Sequence, residues 1–249
     1  FERIKDGYRY LVEVREPLSA AAYEMQIRTV DAGLGVMKYL YRRDPSYIQR
    51  FDEDNLEFEK QFAIYVAKAQ SQEARELAQS AARLHDQLRA IGGWLIRSKD
   101  RDAALAADFI VNGQALENLL HGSTALFDRL SSQRHDNVPH RLLQLHAELA
   151  DAFMLTSDAL YTGAPETRAK AQDELDSVLR HVQALHDPTI EDELNAWLQS
   201  IAERLERLKA ILGERFRLDQ IIERASLRFI DLRGQLDTVL DKEIQTSVT

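Results

Sequence analysis

The side chains that could carry chemistry in this chain are seven histidines, 41 carboxylates and 32 lysines and arginines, with no cysteine. Disulfides, cysteine-ligated zinc and thiol catalysis are thereby excluded. A metal site inside a helical bundle calls for paired Glu-x-x-His or His-x-x-x-His spacings, which set two ligands on one helix face. No histidine stands in either pattern. Glu117 and His121 share a face at i, i+4, but no second pair accompanies them, so they read as a solvated pair. His135, His140 and His146 gather around a turn without metal-ligand spacing. Gly92-Gly93 falls within a helical stretch and lacks the context of a phosphate-cradling loop. Gly93 recurs as Gly213, so close helix packing or a kink is expected at that pair. With no nucleophile–base set, no metal set and no cofactor motif, the chain is not read as an enzyme.

Polar residues at core positions say more, because burying one costs free energy unless a partner meets it. The row Ala22, Met25, Thr29, Ala32, Val36 puts Thr29 inside, with Arg28 beside it. Asn55 falls between Phe51 and Phe58 in another buried row, and Arg228 borders Ala225 and Phe229. Together these four could line one pocket that turns guanidinium and amide groups on an anion. The plainer alternative has Thr29 bonding its own helix while the arginine stems run along the core out to water. Thr156 occupies a similar row, and Arg204 stands where an internal repeat has Leu84, which suggests a second ligand-binding position. Its plainer alternative is a salt bridge to a neighbouring glutamate. Ser98 and Asp102 interrupt an apolar row that resumes at Leu105, and this reads as a junction where packing partners change.

Helices must position these residues. Breaks at Asp44-Pro45, near Ser71, at Arg134–Pro139, at Thr162–Pro165 and at Asp187–Glu191 divide the chain. They predict helices over 18–43, 45–69, 72–133, 139–162, 165–186 and 190–246, with a capping box at Thr189 and Asp192. Residues 1–17 form a helical lead-in interrupted at Pro17. The third and sixth helices would each be roughly 85–90 Å long at 1.5 Å per residue. Apolar residues recur every three or four positions throughout, one buried stripe per helix. The first helix carries a second such row, Ile27, Val30, Leu34, Met37 and Tyr41, and a helix apolar on two faces has two neighbours to satisfy. That row is the expected homodimer seam.

The chain also repeats itself. Residues 26–120 overlay residues 146–240 without gaps, and eighteen of the 95 positions are identical, among them Asp31/Asp151, Tyr41/Tyr161, Pro45/Pro165, Leu88/Leu208 and Phe109/Phe229. Chance would give very roughly 7% from such a composition. Heptads alone favour a shift that is a multiple of seven, which 120 is not. An ancient duplication of a three-helix unit follows. The expected fold is all-α, six helices, two long and four short, in two stacked four-helix bundles related by a pseudo-twofold. Residues 18–97 with 219–246 would form a membrane-proximal bundle and 98–218 a membrane-distal one, within one elongated domain spanning 1–249. Both ends then meet at one tip, the geometry of a domain looped out between two membrane spans. A net charge of −9 and the lack of a basic stripe exclude a nucleic-acid partner, and no run of eighteen apolar residues crosses a membrane. The opening at Phe1 leads us to expect a piece excised from a longer, membrane-tethered protein.

The stretch Gly33-Leu-Gly-Val-Met-Lys-Tyr-Leu-Tyr-Arg-Arg-Asp-Pro45, followed by Phe51-Asp-Glu-Asp and Phe58-Glu-Lys-Gln-Phe62, resembles the first hairpin of helical sensor regions in bacterial receptors. With the six-helix pattern it is similar to the helical bimodular sensor domain of chemoreceptors and transmembrane histidine kinases. The resemblance implies a periplasmic, usually dimeric input module that binds a small molecule such as a carboxylic acid and passes a small helix displacement to the cytoplasm. The reading from a different class is an elongated scaffold or partner-binding module with no small-molecule ligand.

Overall fold

A computed structural model describes residues 2–122, 138–185 and 192–248. Among these there is no strand. A lead-in helix α1 (Glu2–Tyr10) and one π-helical turn (Leu11–Arg15) run into α2 (Glu16–Arg42). Then follow α3 (Ser46–Lys68), α4 (Gln72–Gly122), α5 (Val138–Thr162), α6 (Pro165–Leu185) and α7 (Asp192–Val248). Apart from the lead-in, these are the six expected helices, with α4 and α7 the long pair. The turn expected at 134–137, the third helix beyond Gly122, His135 and the cap at Thr189 lie outside the described residues.

Pro17 does not break the helix as expected. A proline lacks the N–H for its turn, and its ring crowds the carbonyl four residues back. Here the preceding turn widens: the Glu16 N–H donates to the Leu11 carbonyl, five residues back, and the helix continues through Pro17. Other ends follow local chemistry. The Asp44 side chain accepts the Ser46 N–H at 2.9 Å at the start of α3, and Ser71 Oγ accepts the Ala74 N–H at 3.0 Å at the start of α4.

The chain divides into two compact units, Phe1–Arg101 with Gln220–Thr249 and Asp102–Asp219. In the first, Leu18, Ala22, Met25 and Val36 of α2 meet Phe51, Phe58 and Tyr65 of α3, Leu88 and Leu95 of α4, and Phe229 and Leu236 of α7. In the second, Leu116 of α4, Leu145, Leu149 and Ala152 of α5, Leu175, Val178 and Val182 of α6, and Ile201 and Leu208 of α7 form the core. Removing one such leucine to alanine costs about 2–5 kcal/mol. Asp102, buried in the second unit, accepts a hydrogen bond from Arg215 Nε at 2.9 Å. The close approach expected at Gly93 and Gly213 falls at Gly92 instead. A Cβ there would stand 2.7 Å from the Phe51 ring, whereas the nearest atoms to Gly93 and Gly213 are side-chain tips at 3.4 and 3.9 Å.

Two described residues have positive φ, Arg43 (54°) and Gly163 (66°), and they stand 120 positions apart. Each ends its helix by bonding back, Arg43 N–H to the Tyr39 carbonyl at 2.8 Å and Gly163 N–H to the Ala159 carbonyl at 3.1 Å. The left-handed conformation suits glycine but strains a residue with a Cβ. Replacing Arg43 by glycine is therefore expected to stabilise the first unit by about 1 kcal/mol, net of the added freedom of the unfolded chain. The Arg43–Asp100 pair lost with it is long, at 4.0 Å, and half exposed. Urea denaturation of Arg43→Gly beside Gly163→Ala checks this: the first variant should shift the midpoint up and the second down.

Candidate functional site

Within the first unit the expected polar residues are drawn into internal bonds. Thr29 is buried and its Oγ1 donates to the Met25 carbonyl of its own helix at 2.9 Å. Arg28 reaches Asp54 at 3.4 Å and Glu24 at 3.6 Å, while its Nε is buried without a partner among the described residues. Burial raises the Asp54 carboxyl above its usual range, and the hydrogen bond from Arg28 opposes that only in part. Asn55 is buried, donating from Nδ2 to the Phe51 carbonyl at 2.6 Å and turning Oδ1 toward His85 Nε2 at 3.0 Å. Arg228 does not join this group: it is exposed and paired with Asp231 one turn along its own helix. The anion pocket expected from the four residues is therefore not assembled.

His85 is the residue that reading apolar rows missed. It follows Leu84 in the buried face of α4, is 4% exposed, and stacks flat on Phe58 at 3.8 Å between ring centroids. Because Asn55 spends its amide N–H on a carbonyl, its oxygen faces the imidazole, which assigns the proton to Nε2. Burial pushes the His85 pKa down to about 4, and nearby Asp86 and Glu59 oppose this only weakly. A histidine four residues after Ala81 and three before Leu88 was the available signal. A shallow cleft of about 290 Å³ lies between α2 and α3. Its acids Asp31, Glu53 and Asp54 face Lys38 and Arg50, so it has little net charge to select an anion.

The second unit offers a different arrangement. An open cleft of about 730 Å³ between α4 and α7 is lined by Asn112, Asn118, Ser200, Glu203, Arg204 and Arg207, among others. Arg204 Nη1 donates to Asn112 Oδ1 at 3.0 Å, and Asn112 Nδ2 donates in turn to the Asp108 carbonyl at 2.8 Å. Arg207 approaches the Asp108 carboxylate at 3.4 Å with both side chains half exposed, a contact worth about 0–1 kcal/mol. Other arginines of this unit are neutralised: Arg215 by Asp102, and Arg168 by Asp219 at 2.9 Å while lying over the Phe216 ring. Arg204 alone of these four is held by a neutral amide, with no carboxylate within pairing distance among the described residues. A guanidinium so placed keeps donors for an incoming oxyanion. Arg207 escaped the sequence reading because an exposed polar residue on a charged helix carries no periodic signal. Thr156 lies elsewhere on α5, buried and with its Oγ1 unpartnered among the described residues.

The row Ile27, Val30, Leu34, Met37 and Tyr41 runs along the outside of α2. Ile27 is half-buried and the other four are exposed, Tyr41 to 87%.

No protein family and no curated protein matches the chain in sequence. Among solved structures it is similar to the TorS sensor domain crystallised in complex with TorT in the presence of TMAO. That likeness has a TM-score of 0.66 and 12% identity, and covers 93% of this chain and 100% of the other. The V. parahaemolyticus histidine kinase TorS sensor domain is similar at a TM-score of 0.63 and 14% identity, over 92% of this chain and 99% of the other. The chain thus has the fold of the helical sensor domains of histidine kinases.

The His85 environment predicts a pH dependence. Its folded pKa of about 4 lies below the unfolded value near 6.5, so the unfolded chain binds the extra proton first. The stability this group contributes is complete above pH 6.5 and is lost as pH falls toward 4, on the order of 3 kcal/mol in all. The raised carboxyl of Asp54 acts in the opposite sense, so the difference between proteins is the reading. His85→Gln should unfold with a flatter pH profile than wild type between pH 6.5 and 4; parallel profiles would contradict the assignment.

Proposed function

We propose that this chain is the extracytoplasmic, ligand-sensing domain of a transmembrane signalling receptor of the histidine-kinase kind. The observation that carries the reading is the fold likeness over the full length of a TorS sensor domain and 93% of this chain. The domain acts in the periplasm, tethered to the membrane through flanking segments, and works by binding, not catalysis. Its ligand is a small organic anion, received in the second unit by Arg204 and Arg207 with the Asn112 and Asn118 amides at hand. Binding there favours one packing of α4 and α7 over another, shifting an equilibrium already present. A displacement of about 1–2 Å along α7, which continues into the first unit, is the output. The domain works as a homodimer through Ile27, Val30, Leu34, Met37 and Tyr41.

One observation favours a second reading. The similar TorS domain was crystallised with a protein, TorT, in the presence of TMAO, so this chain too would receive its signal from a ligand-loaded partner protein.

A thermal-shift screen against organic acids, amino acids, polyamines and sugars separates the two. Under the small-anion reading one class of acid raises the melting temperature progressively with its concentration, with about 2.7 kcal/mol of stabilisation at a hundred times Kd. Arg204→Ala should then weaken binding about tenfold or more, since a hydrogen bond to a charged group is worth about 1.5–3 kcal/mol, while the unliganded protein loses the bond to Asn112 and stays folded. A flat screen on folded protein removes the small-anion reading and leaves the partner protein. The dimer is tested by Leu34→Glu with Met37→Glu, which should shift sedimentation toward the monomer; behaviour unchanged at every concentration would contradict the α2 seam.

A further inference from the structure

The outward row of α2 begins at Tyr23, so it reads Tyr23, Ile27, Val30, Leu34, Met37, Tyr41, with steps of four and three in strict alternation. Moved 120 positions, the same register falls on α5 as Leu143, Ala147, Ala150, Met154, Ser157, Tyr161. All six of these face outward, Leu143, Met154 and Tyr161 to 71%, 67% and 92%. The core of their own unit is served by a different face of α5, that of Leu145, Leu149, Ala152 and Ala159. Alternating steps of four and three form the seam of a two-stranded coiled coil, and small residues such as Ala147 and Ala150 let two helices approach closely. We infer that this stripe of α5 is a second self-association seam, which pairs side by side with α5 of a second copy of this chain. The inference rests on the homodimer reading given above and adds a second contact to it.

Ile110 of α4, 58% exposed, lines the same small cavity as Ala150 and widens the stripe. Charge selects a second copy as the occupant. Asp151 and Asp158 flank one side of the stripe and His146 the other. Parallel pairing sets a His146 imidazole N–H of one copy across from the Asp151 carboxylate of the other, five residues on, whereas antiparallel pairing sets the acidic flanks against each other. Parallel pairing is also what two copies tethered to one membrane require.

The cysteine-free chain makes the test clean. Val30→Cys, Ala150→Cys and, away from both stripes, Lys170→Cys are each treated with a short bismaleimide. All three positions are exposed, so folding is spared. Ala150→Cys and Val30→Cys should cross-link into dimers, and Lys170→Cys at least tenfold less. If Ala150→Cys captures no more than Lys170→Cys while Val30→Cys does, the α5 seam is overturned and the α2 dimer stands. If neither captures a partner, the seam and the homodimer reading fall together. Capture at Ala150 without capture at Val30 would keep the α5 seam and discard that of α2. As an independent reading, Leu143→Glu with Met154→Glu should weaken self-association in sedimentation at least tenfold with helicity unchanged; unaltered association overturns the seam.

Discussion

Each of α4 and α7 carries, on one uninterrupted helix, part of the apolar lining of two cores, and that constraint governs the rest of the molecule. Leu88 and Leu116 of α4 are buried in different units, as are Leu208 and Leu236 of α7. No proline interrupts either helix. The short helices α2, α3, α5 and α6 each serve one unit and can repack locally. Continuity asks that the rows of each core stay in register over 51 and 57 residues.

Polar groups in the two units answer to different rules. In the first, every hydrogen-bonding atom of Asn55 is committed to a neighbour, and His85 is kept neutral between that amide and the Phe58 ring. Such an interior fixes which faces meet, since any other packing would strand a buried donor. In the second, Asp102–Arg215 does the same by charge. Arg204 departs from this economy. Its amide partner orients the guanidinium without neutralising it.

Much of the architecture was legible because the breaks between helices are well marked. Asp44-Pro45 and Thr162–Pro165 located two helix ends, though only the structure revealed that Arg43 and Gly163 there adopt the left-handed conformation. Periodicity placed Thr29, Asn55 and Thr156 inside, and they are buried. It could not tell that Thr29 would turn back on its own carbonyl, or that Arg228 would point outward, because a residue at the edge of a stripe is assigned by a rotation of a few tens of degrees. Gly92 and Gly93 lie about 100° apart around their helix, and the ring of Phe51 decides between them. His85 and Asn112 were passed over for a related reason: a polar residue inside an apolar row breaks the very pattern used to find the row. The π-helical turn before Pro17 has no sequence signature beyond the proline itself.

The central claim is that an anion held by Arg204 in the second unit is felt along α7 in the first. Amide hydrogen exchange followed along α7, with and without a saturating organic acid selected by thermal shift, tests it most directly. The account predicts slowed exchange around residues 200–207 together with altered protection across residues 225–240 of the same helix. Protection confined to residues 200–207, with the remainder of α7 unchanged, would contradict it.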